Sequence, residues 1–232
     1  CIEFIAVISF EEALSRVLDS VVERSQSEAV SLEACLGRYI AEPVVAAVDV
    51  PGFDNSAMDG YAVIAGEIQS GHSYAVSQTV AAGVNPESLR RGTVARIFTG
   101  AKVPDNADAV ILQENAEEVS EKHVRDGEER YVKFHAQPEA GQNIRPAGQD
   151  IQKASLLIEA GKRLSAADIG LIASVGIADV QCVKPLRVAF FSTGDELQKP
   201  GLPLSGAQIY NSNRYLLAAC LRDLGMEPVD LG

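Results

Sequence analysis

Leu186-Arg187-Val188-Ala189-Phe190-Phe191, followed by the polar turn Ser192-Thr193-Gly194-Asp195-Glu196, is the stretch that decides the class of this chain. A short continuous apolar run without alternation reads as a strand buried on both faces of a parallel sheet. Downstream, Asn211-Ser212-Asn213 can cap a helix that turns Leu216, Leu217, Cys220, Leu221 and Leu224 inward and stops at Gly225; a second strand then begins at Pro228. Strand, helix and strand make a βαβ unit, which cannot close a sheet by itself. The expectation is therefore a doubly wound α/β domain of which residues 185–232 are only the start.

Working back toward the amino terminus, Ser165 can cap a helix carrying Ile169, Ile172 and Val175 on one side, with Gly176 as its stop. Residues 44–148 have another character: short apolar runs punctuated by Pro51-Gly52, Gly66, Gly83, Asn85-Pro86, Pro104-Asp105 and Asp126-Gly127, which predicts a compact β-rich unit. Its charged stretch, residues 114–130, reads as a solvated hairpin. Ahead of this unit, Ser9 and Glu12 make a capping-box pattern, and Phe10, Leu14, Val17, Leu18 and Val21 recur at helical spacing, predicting a helix over residues 10–26. A second helix is expected from Ser31, with Leu32, Cys35, Leu36 and Tyr39 or Ile40 along one face, ended by Pro43. The three helices are expected to pack together. The whole is a multi-domain α+β chain, in which a helical linker domain (1–43 plus 149–184) carries an inserted β-rich domain (44–148) and precedes the incomplete α/β domain.

Composition bounds the function. At 232 residues the chain can hold more than one compact unit, since domains commonly run about 100 to 150 residues. It is 47% hydrophobic and 22% charged, with no apolar run near membrane-spanning length, so no membrane span is expected. The apolar opening, residues 1–10, is interrupted by Glu3 and lacks a basic flank, so it reads as structure and not as a signal peptide; a first residue of Cys suggests an upstream stretch left out. A formal net charge of −12 works against binding nucleic acid, which rests on Lys and Arg. Four scattered cysteines without a C-x-x-C pair, and three histidines, do not make a structural zinc pattern; free thiols in a reducing cytoplasm are the expected state.

Four loops could carry chemistry. Ser192, Thr193 and Gly194 sit at the carboxyl end of the expected sheet, where α/β proteins place ligands, and their hydroxyls and backbone donors could hold an anion. Asp195 or Glu196 could hold a divalent cation or act on a proton, or merely cap the next element. Asp54-Asn55-Ser56-Ala57-Met58-Asp59-Gly60-Tyr61 gathers two carboxylates before a strand; Met58 stands where a calcium loop needs an oxygen, which leaves a local Asx-turn as the plain reading. Phe98-Thr99-Gly100-Ala101-Lys102 is a Gly turn with a hydroxyl and an amine but without Walker-loop spacing. In Gly141-Gln142-Asn143-Ile144-Arg145, Arg145 could grip an oxyanion with Asp150 beside it, or the two could form a surface ion pair.

Together, FDNSAMDGYAV (53–63), RIFTGA (96–101) with ADAV (107–110), GQNIR (141–145), STGDEL (192–197) with Pro200-Gly201, and QIYNSN (208–213) resemble the MoeA and gephyrin E-domain family, the molybdopterin molybdenumtransferases. The strings occur in order across almost the whole chain. The resemblance implies a cytoplasmic, homodimeric enzyme that takes adenylylated molybdopterin and molybdate and, with Mg2+, releases AMP and the molybdenum-loaded cofactor, with molybdopterin adenylyltransferase as its upstream partner. It implies active-site roles for Asp59, Thr99, Glu196 and Asp150, a substrate pocket lined by Ser192, Thr193, Gly194, Asp195 and Asn213 with Arg145 as a further contact, and magnesium at Glu196 and Asp195. In the family the pterin-binding domain of one subunit faces the β-rich domain of the other. Two departures are local: Asn211 stands where Asp is commoner, and Gln149 where Glu is. The family's later phosphate loop and small β domain would fall beyond Gly232, so the expectation is a chain that is inactive as it stands. Two other readings compete: a non-catalytic scaffold of the gephyrin type, and a molybdopterin adenylyltransferase, which should lack the segments at 53–63 and 96–101.

Overall fold

The computed structural model describes residues 8–20, 26–119 and 130–232. Along the chain run α1 (Phe10–Asp19), β1 (Ser27–Ser31), β2 (Val44–Val45), β3 (Asn55–Ser56), β4 (Gly60–Val63), β5 (Ser73–Val80), β6 (Thr93–Ile97), β7 (Ala109–Leu112), β8 (Ala116–Val119), β9 (Tyr131–Phe134), β10 (Ile144–Arg145) and β11 (Leu156–Ile158). There follow α2 (Ala166–Ser174), β12 (Asp179–Val183), β13 (Arg187–Phe190), β14 (Leu197–Gln198), β15 (Ile209–Tyr210), α3 (Ser212–Asp223) and β16 (Glu227–Asp230). The chain forms two compact units, one of Val44–Leu157 with Gly170–Ile177, the other of Cys1–Pro43, Ile158–Ile169 and Ala178–Gly232.

The first of these is built on a six-stranded sheet in the order β7-β4-β6-β5-β9-β8. Strand β4 is buried along its whole length, so its alternate residues feed two cores. Tyr61 and Val63 join Val94, Ile111, Val132 and Phe134 on one face; Ala62 joins Val80, Ala95, Ile97 and Val110 on the other. Complete burial of such Val, Ile and Phe side chains contributes about 1.5–3 kcal/mol each, which is why the apolar runs dominate the local charge pattern. Tyr61 meets Phe134 edge-on at 5.8 Å. Gly60 is required by close approach: a Cβ there would lie 1.9 Å from the Ile111 carbonyl oxygen across the β4–β7 pairing. Strands β8 and β9 pair antiparallel as far as Val119 opposite Tyr131, the arms of the predicted hairpin, whose tip (120–129) lies outside the described residues. Two short pairings, β2 with β11 and Val50 with Ile151, close the base of the unit.

In the other unit, α1 begins as predicted, with Ser9 Oγ accepting from the Glu12 N–H at 3.1 Å. It ends at Asp19, and residues 21–25, over which the helix was expected to continue, lie outside the described set, as do residues 1–7 of the apolar opening. The second helix does not form. Its expected cap, Ser31, closes β1 (Ser27–Ser31), paired antiparallel with β12 from Ser27 opposite Val183 to Ser31 opposite Asp179. Turns follow, with Gly37 at φ +75°, and Tyr39 and Ile40 bridge to Arg163 and Cys182. Bonds to distant backbone, from Gly37 N–H to the Leu164 carbonyl and from Ile40 N–H to the Lys162 carbonyl, both at 2.9 Å, have overridden the local helical spacing. The packed three-helix arrangement fails with it: Phe10, Leu14, Val17 and Leu18 of α1 are exposed.

Residues 187–230 form the expected βαβ unit. Strands β13 and β16 run parallel, Arg187 opposite Glu227 through Phe190 opposite Asp230. Asn211 Oδ1 caps α3 by accepting the Arg214 N–H at 3.1 Å, and Gly225, at φ +76°, follows the helix end. Two expectations about burial need correction. Strand β13 is not buried on both faces, since Arg187 and Ala189 are exposed, and Leu216, Leu217 and Cys220 of α3, with Leu224 just past its end, are exposed rather than inward. A two-stranded sheet with one helix gives each element a single covering neighbour, so half of each apolar surface stays open.

Candidate active site

In the β-rich unit the motif strings converge through the backbone. The segment 54–59 is stitched to 99–103 by N–H donation from Ser56 to the Ala101 carbonyl (3.0 Å), from Gly100 to Ser56 (2.8 Å) and from Val103 to Asp54 (2.9 Å). It is stitched to 143–147 by Ala57 N–H donating to the Asn143 carbonyl (2.9 Å) and by Ala147 N–H donating to Asp54 Oδ1 (2.8 Å). The 107–110 string joins through Gly141 N–H to the Asp108 carbonyl (2.7 Å) and Val110 N–H to Gln142 (2.9 Å). Four stretches far apart in sequence thus share one surface. The plain reading of 54–61 as a local Asx-turn does not describe its carboxylates: Asp54 and Asp59 accept from the distant Ala147 and Thr99, and the local turn is made by Ser56, whose Oγ accepts the Met58 N–H at 3.3 Å.

On that surface Asp59 and Thr99 form a tight pair. Asp59 Oδ1 accepts both the Thr99 backbone N–H (2.8 Å) and the Thr99 hydroxyl (2.7 Å). These two bonds, the backbone one first, hold the Asp59 carboxyl below its ordinary value against a smaller upward pull from desolvation, and Arg96 adds to the lowering. Asp59 Oδ2 makes no hydrogen bond among the described residues and remains free to accept from another molecule. Arg145 and Asp150, in the same unit, form a half-exposed ion pair at 2.7 Å. Lys102 donates to Asn85 Oδ1 at 3.1 Å.

The remaining predicted residues lie in the other unit, on the carboxyl side of β13. Ser192 N–H donates to the Gly232 carbonyl at 2.9 Å, which ties the start of the loop to the chain beyond β16. Thr193, Gly194, Asp195 and Glu196 are exposed. Gly194 takes φ +145°, a backbone conformation L side chains rarely adopt, and the Glu196 carboxylate lies folded against it, Oε2 standing 2.5 Å from where a Cβ would sit. Asn213 is exposed in the first turn of α3. Asp195 and Glu196 offer two hard oxygen donors to a cation. Among the described residues no group of three or more Asp, Glu, His or Cys side chains gathers anywhere. Two carboxylates fit magnesium, which keeps several waters and takes its remaining ligands from substrate phosphates.

Sequence reasoning gave no individual role to Arg96 or Gln113, and none to Asp54 beyond its place in the 54–61 loop; all three build the surface around Asp59. A signal for Arg96 was present: it is the one charged residue inside the strand Thr-Val-Ala-Arg-Ile. Gln113 carried none, since its partners are fixed only by the fold, and Asp54 was visible only as one carboxylate of the 54–61 loop, its Ala147 partner being set by the fold.

The sequence matches the family described as MoeA N-terminal region (domain I and II) over residues 8–176. It is 37% identical over 228 residues to the molybdopterin molybdenumtransferase of Haemophilus influenzae, covering 97% of this chain and 54% of that protein. The molybdopterin molybdenumtransferase of Bacillus subtilis is 32% identical, with 97% of this chain and 52% of that protein covered. Among solved structures, the molybdopterin biosynthesis MoeA protein of Pyrococcus horikoshii superposes with a TM-score of 0.86 at 35% identity, covering 98% of this chain and 57% of that one. The chain spans about half the length of the relatives it matches. No helix of the described residues is long and apolar enough to cross a membrane. With one motif-built surface around Asp59 and a βαβ unit after it, matched in sequence and in backbone to the same proteins, this chain belongs to the MoeA family.

Proposed function

We propose that the protein carrying this chain acts in molybdenum cofactor biosynthesis as a molybdopterin molybdenumtransferase, loading molybdate onto adenylylated molybdopterin with release of AMP. The observation that supports this most directly is the Asp59–Thr99 pair on the surface where four family strings meet. Asp59 is ionised at neutral pH and held by two donors on one oxygen, so its free Oδ2 suits the holding of a donor, such as a water or an oxyacid hydroxyl, more than the storage of a proton, which calls for a pKa near the working pH. Thr99 fixes the direction of that oxygen. Arg145, oriented by Asp150, supplies a cation for an oxyanion.

On this reading residues 185–232 begin the molybdopterin-binding domain, residues 44–148 are the inserted β-rich domain, and residues 1–43 with 149–184 are the linker domain. Ser192, Thr193, Gly194, Asp195 and Asn213 line the substrate side, with Glu196 as the carboxylate that acts there. Asp195 and Glu196 would hold magnesium, which when bound, together with local cations such as Arg145, would offset phosphate charge against a chain of net charge −12. The enzyme would work in the cytoplasm as a homodimer, the α/β domain of one subunit serving the Asp59 surface of the other, and would receive its nucleotide-linked substrate from molybdopterin adenylyltransferase.

The test is molybdate-dependent AMP release from adenylylated molybdopterin by the full-length protein, wild type against Asp59→Asn and Glu196→Ala. Release that falls sharply in both variants supports the assignment. A folded wild-type protein that releases no AMP overturns it.

A further inference from the structure

Arg96 stands behind the Asp59–Thr99 pair and touches both of its flanks. Its Nη1 donates to the Gly60 carbonyl at 2.7 Å and to its own neighbour, the Ile97 carbonyl, at 3.2 Å, while Nη2 donates to Gln113 Oε1 at 2.5 Å. Gln113 in turn donates its backbone N–H to the Asp59 carbonyl at 3.1 Å. The path is a closed circuit: from the guanidinium to Gly60, along the chain to Asp59, across to Gln113 and back to the guanidinium. The guanidinium carbon also sits over the Tyr61 ring, 5.3 Å from its centre, and over the Phe98 ring at 4.7 Å. Tyr61 follows Gly60 and Phe98 precedes Thr99, so one planar cation grips the residues next to both members of the pair.

From this geometry we infer that Arg96 and Gln113 form a clasp whose work is to position Asp59 against Thr99, Arg96 through its fork and Gln113 through its amide oxygen and backbone N–H. The catalytic meaning of the clasp rests on the reading of Asp59 given above; its physical existence does not. Both neighbours of the fork are needed at once, and a lysine ammonium, a single point charge, cannot span Gly60 O and Gln113 Oε1 while lying flat over two rings. Gln113 is exposed, which makes it the better probe, because removing its side-chain amide leaves the core untouched.

The readout is hydrogen–deuterium exchange of the Thr99 amide, the donor to Asp59, taken relative to the Ala95 amide in β6 of the same full-length protein. Losing one hydrogen bond of ordinary net strength should raise the relative Thr99 rate by about three- to tenfold in Gln113→Leu and in Arg96→Lys. Gln113→Glu, which keeps the acceptor, should restore the wild-type ratio, and in the AMP-release assay Gln113→Leu should lower kcat while KM stays near wild type. An unchanged exchange ratio in Gln113→Leu overturns the clasp, and a wild-type ratio in Arg96→Lys overturns the need for the fork. If wild-type protein shows the exchange pattern but releases no AMP on adding molybdate, the clasp stands and the transferase assignment fails.

Discussion

Gly60 and Thr99 show how much single positions decide here. A methyl group at residue 60 cannot be accommodated by a side-chain rotation, because the atom it meets is the Ile111 carbonyl oxygen of the neighbouring strand. Gly60→Ala should therefore cost more than about 3 kcal/mol, read as a lowered denaturant midpoint, since the β4–β7 ladder must part to admit it. Thr99→Val is a gentler change: it removes the hydroxyl bond to Asp59 and keeps the backbone one. The Asp59 carboxyl should move part of the way back up toward its ordinary value, followed by carbon NMR titration, and kcat should fall about tenfold through loss of a charge-assisted bond. The sign of the pH effect follows. Because the folded-state pKa is lowered, ionised Asp59 stabilises the fold above the ordinary carboxylate range, and that contribution is lost as pH falls through the lowered value.

Helix starts were legible as local chemistry. Ser165, read as a cap, is one: its hydroxyl accepts the Asp168 N–H at 3.3 Å, and Asp168 Oδ2 accepts the Ser165 N–H at 2.9 Å, a reciprocal box at the head of α2. Ser165→Ala should lower stability by about 1 kcal/mol in a urea melt. Asp168 is further held by Lys162 at 2.7 Å, and the hydrogen bonds from Lys162 and then Ser165 bring its carboxyl down to about 2 from 3.8. Its support is full above the unfolded value and should disappear between pH 3.8 and about 2, a loss absent from the acid-unfolding curve of Asp168→Asn. The caps at Ser9 and Asn211 and the stop at Gly225 were read from sequence for the same reason: donor and acceptor lie within one turn. Residues 32–40 were misread as a helix because the opposite holds. Leu32, Cys35 and Leu36 fall at helical spacing, and nothing within residues 27–40 announces that the partner strand is β12, at residues 179–183. The Asp59 surface divides likewise: its strings were visible, while the Arg96–Gln113 circuit depends on β6 and the end of β7 being brought together by β4.

Across the whole molecule, thiol chemistry reports on which parts open. Cys35 and Cys182 are fully buried, and burial raises the pKa of both thiols. Cys220 is exposed on α3. Labelling of this 232-residue chain by a thiol reagent, mapped by peptide mass, should therefore mark Cys220 promptly and spare Cys35 and Cys182 until the fold is opened by denaturant. The pairings of β2 with β11 and of Val50 with Ile151 bear on a different kind of change. They bring the two ends of the β-rich stretch side by side, so the chain leaves it close to where it came in. Such a neck means that a chain cut there would have its new termini side by side, close enough to be joined by a short turn, while Gly170–Ile177 belongs to the same compact unit and would have to go with the stretch.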